Sequence, residues 1–307
     1  MKRDYVNEKD WAPREISGLL DLAGEVKKSP GRYRQSLAGK TLAMIFEKSS
    51  TRTRVSFETG MFQLGGLAMF LSSRDIQLGR GETVADTAAV LSRYVSAIMA
   101  RTYAHATVEE LARHAAVPVI NGLSDLLHPC QALADFQTVR ERFGSERGFP
   151  LCYVGDGNNV AHSLMVTGAK LGARVAVVTP PGFEPRAEVQ AWAREAAAET
   201  GGALLVTNSI EEGIAGARAV YTDVWASMGQ EEEAQERARK FSGYRVTARV
   251  FRAAAPDAIF LHCLPAHRGE EVDASVIDSK ASAVFDQAEN RLHAQKALLV
   301  TLLGAAA

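Results

Sequence analysis

The chain has 307 residues, 47% hydrophobic and 23% charged, with a formal net charge of -1. That length supports two domains with separate cores, and the balanced charge excludes a general nucleic-acid binder, which would carry a basic excess. No apolar run reaches the roughly 18 residues of a membrane span.

The N-terminal stretch MKRDYVNEKDWAPREIS mixes acids and bases and lacks the apolar segment of a signal peptide. Cys130, Cys152 and Cys263 are too scattered for a disulfide framework or a CxxC zinc site. A reducing cytoplasm is the expected compartment.

Along the chain, a helix is predicted over about 14–28, then strands alternate with helices. Strands are expected near 41–46, 67–72, 96–101 and 117–121, with helices over 83–94 and 107–115 between them. A loop holding His128-Pro129-Cys130-Gln131 leads to a helix over about 131–143, and the polar, Gly-bearing 143–148 reads as a domain boundary. The second half repeats the alternation, with strands near 150–155, 174–179, 203–207, 218–223 and 258–263. A short strand near 283–285 then leads into a final helix over 287–303. The pattern predicts an α/β protein of two domains, each a parallel sheet flanked by helices. The first domain is expected over 1–143, completed by the C-terminal 287–307, and the second over 144–286.

Open α/β sheets bind ligands beyond the carboxyl ends of their strands. The first strand runs into Ser50-Thr51-Arg52-Thr53-Arg54 at the start of a helical pattern. A helix N-terminus offers free N–H groups and partial positive charge, which suit phosphate, and arginine adds planar charged donors. Simple capping by Ser and Thr, with Arg on a solvated face, is the plain alternative. Other strand ends supply Arg74 with Gln77 beyond it, Arg101, and the His128 loop. In the second half they supply Asp156-Gly157-Asn158-Asn159, Asp223 with Ser227-Met228-Gly229, and His262-Cys263-Leu264-Pro265. The first set suits an anion bearing a carbonyl, and the second suits amino groups. Two substrates meeting in the cleft between the domains is the economical reading.

Gly155-Asp156-Gly157-Asn158-Asn159-Val160 follows a strand and opens a helix, yet Val160 stands where a dinucleotide fingerprint needs its third glycine. The acid expected about 20 residues on is missing too, so a nicotinamide cofactor fails. Asn158 and Asn159 read equally well as helix caps. His105, His114 and His293 read as surface positions, and no His pair has metal-ligand spacing beside an acid, so neither a metal nor a cofactor is expected. Cys152 reads as an inert buried thiol.

Together these segments resemble the aspartate/ornithine carbamoyltransferase family. SSTRTRVSFE and His128-Pro129-Cys130-Gln131-Ala132-Leu133-Ala134-Asp135 are similar to its carbamoyl phosphate signatures. Asp223-Val224-Trp225-Ala226-Ser227-Met228-Gly229, His262-Cys263-Leu264-Pro265, Asp156-Gly157-Asn158-Asn159 and Ala288-Glu289-Asn290-Arg291 are similar to its ornithine branch. The resemblance covers about residues 40–296. It implies transfer of a carbamoyl group from carbamoyl phosphate to L-ornithine, giving citrulline and phosphate, in a homotrimer or an assembly of trimers.

The implied carbamoyl phosphate site is Ser50, Thr51, Arg52, Thr53, Gln77 (reaching a neighbouring subunit), Arg101, His128, Pro129, Cys130 and Gln131, with Cys263, Leu264 and Arg291. The implied ornithine site is Asn159, Asp223, Ser227 and Met228. Catalysis is assigned to Arg52, Arg101, His128, Asp223, Cys263 and Arg291. A transferase for another amine, or a non-catalytic binding protein on the same fold, are the rival readings.

Overall fold

The structure, a computed structural model, describes residues 2–304 apart from 75, 77–80 and 227–233. The chain divides into two compact units, Met1–Ala134 with Arg291–Ala307, and Asp135–Asn290.

In the first unit, β1 (Thr41–Phe46), β2 (Leu67–Ser72), β3 (Ala97–Arg101) and β4 (Val119–Leu123) form a parallel sheet ordered β2-β1-β3-β4. Helices α1 (Pro13–Lys28), α2 (Thr51–Gln63), α3 (Val84–Leu91) and α4 (His105–His114) belong to it. Runs such as TLAMIF are apolar on both faces, as strands covered on both sides must be. Their core side chains include Ala43, Ile45, Ile98, Ala100 and Val119, packed with Val108 and Leu111 of α4.

Helix α5 (Pro129–Phe143) begins in the first unit and ends in the second. The second unit holds β5 (Pro150–Val154), β6 (Arg174–Val178), β7 (Ala203–Thr207), β8 (Ala219–Thr222) and β9 (Ile259–His262) in a parallel sheet ordered β7-β6-β5-β8-β9. Helices α6 (Asn159–Lys170), α7 (Ala187–Thr200), α8 (Ile210–Ile214), α9 (Ala234–Phe241), α10 (Ala248–Arg252) and α11 (Ala274–Ile277) surround it. Right-handed crossovers put α6 and α7 on one face, and α8 on the other once the strand order reverses. Val154, Val178, Val220 and Phe260 meet Ile214, Val276 and Ile277 in its core. Helix α12 (Val284–Leu303) runs from this unit into the first.

Strand order reverses between β1 and β3 in one sheet and between β5 and β8 in the other. At such switch points the loops leave the sheet in opposite directions and open a crevice for a ligand. Phe46 and Arg101 are register partners at the first, and Tyr153 and Tyr221 near the second.

Two expectations are corrected. No strand forms at 283–285. Ser282 makes a single bridge to Phe260, Ala283 N donates to the Phe260 carbonyl at 2.9 Å, and the helix starts at Val284. The apolar Ala283-Val284-Phe285 triplet is too short to tell helix from strand by pattern. Pro129, Cys130 and Gln131 lie in the first turn of α5 rather than in a loop, because proline tolerates the first helical position, where its missing N–H has no partner to lose.

Candidate active site

Ser50 closes the turn after β1 and caps α2. Its Oγ accepts from Thr53 N at 3.2 Å and donates to Thr53 Oγ1 at 3.1 Å. Capping and ligand binding use the same terminus, so the plain alternative for Ser50 is real without being exclusive. Thr51 opens the helix on the exposed side, Arg52 is half-buried and Thr53 is buried. Arg54 takes the solvated-face reading: it pairs with Glu58 one turn on and covers the Phe70 ring at 3.9 Å.

Arg101 ends β3 where the pairing with β4 slips by one residue, Ala100 facing Asn121 and Arg101 facing Leu123. Such irregularities re-aim side chains at strand ends. Arg101 is buried, as are His128, Pro129, Cys130 and Gln131. The Cys130 thiol lies 3.5 Å from the Asn121 carbonyl, and burial pushes it up to about 12.

Arg291 of α12 gathers this half-site. Its Nη1 donates to Gln131 Oε1 at 2.6 Å and to His128 Nε2 at 3.2 Å, and Nη2 donates to Thr53 Oγ1 at 3.0 Å. Guanidinium only donates, so His128 Nε2 accepts and the ring proton sits on Nδ1. Burial, then the charges of Arg291, Arg101 and Arg52, hold the His128 imidazole well below its usual 6.5. It is therefore neutral at pH 7, a polar N–H donor beside three fixed cations. An electron-rich anion with a polarisable carbonyl is what such a cluster can stabilise.

In the second unit Asp223 follows β8 and is buried. Cys263, at the end of β9, donates its thiol to Asp223 Oδ1 at 3.0 Å. Asn158 donates its amide to Asp223 Oδ2 at 3.0 Å. Asn158 is also the cap of α6, accepting from Val160 N and Ala161 N, while Asn159 is the first helical residue. Gly157 has a packing reason: a Cβ there would lie 2.4–2.5 Å from backbone atoms of residues 183–185. Leu264 takes φ 59°, a left-handed conformation a branched residue rarely adopts, and its N–H donates to His262 Nδ1 at 2.9 Å. Burial pushes the Cys152 thiol up to about 12, in line with an inert role.

Gln77, Ser227, Met228 and Gly229 lie outside the described residues. His105 is corrected from a surface position to a buried one, its Nδ1 2.8 Å from Ser124 Oγ. Several contacts escaped the sequence. Arg237 of α9 binds the Trp225 carbonyl at 2.6 Å and pairs with Asp156. Glu271, fully buried, lies 3.3 Å from His262 Nε2. A buried Glu in the polar run Arg268-Gly269-Glu270-Glu271 gives no sequence signal, since the run reads as a solvated turn. Asp223, His262 and Cys263 bring donor atoms within 4.8 Å of one another. His262, however, spends one ring nitrogen on Leu264 N–H and the other on Glu271, so it has no lone pair directed at a metal.

Two family models match the chain in tandem: the aspartate/ornithine carbamoyltransferase carbamoyl-P binding domain over residues 3–141, and the Asp/Orn binding domain of the same family over 147–302. The chain belongs to the aspartate/ornithine carbamoyltransferase family. It is 57% identical over 303 residues to the ornithine carbamoyltransferase of Oceanobacillus iheyensis, covering 98% of this chain and 94% of that one. It is 56% identical over 304 residues to the anabolic ornithine carbamoyltransferase of Pyrococcus furiosus, covering 98% and 96%. The solved ornithine carbamoyltransferase from Pyrococcus furiosus superposes with a TM-score of 0.96 at 55% identity, over 100% of this chain and 98% of that one. No helix among the described residues is long and apolar enough to cross a membrane.

Proposed function

We propose that this chain transfers the carbamoyl group of carbamoyl phosphate to the δ-amine of L-ornithine, giving L-citrulline and phosphate in arginine biosynthesis. The observation that carries it is the Arg291 guanidinium tied at once to Thr53, His128 and Gln131. A binding module would need an anion pocket, but not a neutral imidazole locked among three arginines.

In this reading Ser50, Thr51, Arg52 and Thr53 hold the phosphate, and Arg101 bridges phosphate and carbonyl. His128 and Thr53 donate toward the carbonyl oxygen, Gln131 holds the carbamoyl nitrogen, and Pro129 and Cys130 set the turn that carries them. Arg291 steadies the oxyanion as the carbonyl carbon becomes tetrahedral. Asn159, Asp223, Ser227 and Met228 bind ornithine, while Cys263 and the Leu264 carbonyl orient its δ-amine. Free alkyl amines have a pKa of about 10, so the amine must shed a proton before it attacks. Its nitrogen then bonds to the carbonyl carbon, the carbon–oxygen bond to phosphate breaks, and the second nitrogen proton leaves with the phosphate. Donors aimed at the oxyanion each contribute about 100- to 1,000-fold.

The same reading includes a cytoplasmic homotrimer in which Gln77 serves a neighbouring subunit's site. An apolar surface supports it: Val55 and Phe62 lie seven residues apart on one face of α2, and Leu67 and Met69 alternate outward on edge strand β2. Phe62 is 80% and Leu67 59% exposed.

Citrulline and phosphate release from carbamoyl phosphate should be measured with ornithine, putrescine, N-acetylornithine and aspartate in parallel. Strong preference for ornithine is the expected result. Preference for another amine would leave the carbamoyl phosphate half standing and overturn the ornithine assignments.

A further inference from the structure

The sequence leaves Asn158 as a cap beside the ornithine-site residue Asn159. A cap needs only an acceptor, and Asp or Ser at that position serves as well as Asn. Asn158 does more. Its Oδ1 accepts from Val160 N at 3.0 Å and Ala161 N at 3.2 Å, with the Tyr153 hydroxyl 3.4 Å away. Two backbone N–H donors fix which end of the amide is oxygen, so Nδ2 must face the other way. There it meets Asp223 Oδ2 at 3.0 Å, while the Cys263 thiol holds Oδ1 at 3.0 Å. Both carboxylate oxygens thus have a donor, and the carboxylate plane has no freedom to turn. The Thr222 hydroxyl bound to the Val154 carbonyl at 2.6 Å locks the two strand ends that carry these loops.

We propose that Asn158 is a positioning residue for the amine half-site: its side-chain amide fixes the Asp223 carboxylate so that Oδ1 stays turned toward Cys263 and the attacking amine. The proposal rests on the reading of Asp223 as the residue that meets ornithine. The amide spans helix cap and carboxylate, so the orientation of Asp223 is inherited from the backbone of α6.

The decisive variant is Asn158→Asp. It keeps the cap and favours the positive end of the helix, but replaces a donor with a second carboxylate oxygen against Asp223. Two carboxylates that close share a proton, and the pair's upper apparent pKa rises. The other ionisable groups around Asp223 are Tyr153 and Tyr221 from β5 and β8, Cys263 and His262 from β9, and Asp156, which is paired with Arg237. Burial pushes both tyrosine phenols well above 10, so they stay neutral.

The δ-amine must lose its proton before it attacks, so the acid limb of kcat/KM for ornithine belongs to the amine and should stay in place, while the size of kcat/KM reports the orientation of Asp223. At pH 8 kcat/KM for ornithine should fall roughly 10- to 100-fold, as losses of orienting partners do. KM for carbamoyl phosphate should stay within about twofold, and the melting temperature within about 2 °C, since the cap is retained. Asn158→Ser, whose single hydroxyl oxygen is taken by the cap and which loses the separate amide donor, should also lower ornithine kcat/KM. Wild-type ornithine kinetics in Asn158→Asp, with Asp223→Asn crippled, would overturn the positioning role. Wild-type ornithine kinetics in Asp223→Asn would instead overturn the site reading beneath it, and the proposal with it. Asn158→Ser keeps the question answerable if Asn158→Asp fails to fold.

Discussion

The Arg291 guanidinium donates to Thr53, His128 and Gln131, which sets its charge beside the groups that are to polarise a carbonyl in the proposed reaction. Arg291→Met should lower kcat about 100- to 1,000-fold, the range for an oxyanion donor. It should also raise the His128 pKa, because Arg291 is the largest charge holding that imidazole down after burial. An NMR titration of His128 reads this directly; an unmoved titration would mean that burial alone sets its state. His128 bears on stability as well. Its pKa is depressed in the folded chain, so between that value and the unfolded value of about 6.5 the unfolded chain binds more protons. The stability it contributes is present above about pH 6.5 and is lost as the pH falls. His128→Gln should therefore lose less melting temperature than the native chain between about pH 7.5 and about pH 5.5. Equal losses would show that His128 is not the group being charged.

At the scale of elements, the turn from β1 into α2 combines two demands that substitution can separate. Ser50→Ala removes the cap and should destabilise by about 1 kcal/mol. Ser50→Asp caps as well as serine does, yet sets a negative charge at the proposed phosphate site. It should keep the native melting temperature while KM for carbamoyl phosphate rises at least about tenfold, as two like charges in contact repel. Equal KM in both chains would reduce Ser50 to a cap. The elements themselves were legible, because strands such as TLAMIF and PLCYV are short continuous apolar runs bounded by polar turns. What stayed hidden depends on sheet order. Asn158, Asp223 and Cys263 lie 65 and 40 residues apart, and only the neighbouring of β5, β8 and β9 brings them into contact. Strand-end polarity singled out these loops, but it could not tell Asn158 from Asn159, nor find Glu271 behind His262. His105 misled for the same reason, its partner Ser124 standing 19 residues away across β4. The 283–285 triplet misled because three apolar residues do not tell helix from strand, and the bridge to Phe260 is made by Ser282 just before it.

For the whole molecule, the apolar face of α2 and β2 is the feature an isolated subunit does not account for. Phe62, Leu67, Val55 and Met69 are 80%, 59%, 53% and 36% exposed. Leaving one large apolar side chain in water forgoes about 1.5–3 kcal/mol of burial, and single exposed side chains are ordinary. Here four occupy neighbouring elements, with an edge strand among them. Edge strands are normally blunted by charge or proline, yet β2 reads LAMFLS. A second subunit laid against this face would bury the patch, and the proposed homotrimer supplies one. Phe62→Asp puts a charge into that contact while leaving the core of the fold alone, since Phe62 itself packs against little. Light scattering should show the native chain as a trimer and Phe62→Asp shifted toward the monomer. Its melting temperature should rise with protein concentration more steeply than that of the native chain, because assembly then sets the stability. If Gln77 serves a neighbouring site, turnover should fall in step with the trimer fraction. A fully trimeric Phe62→Asp would locate the interface on another face, and a monomer with native turnover would show that each subunit works alone.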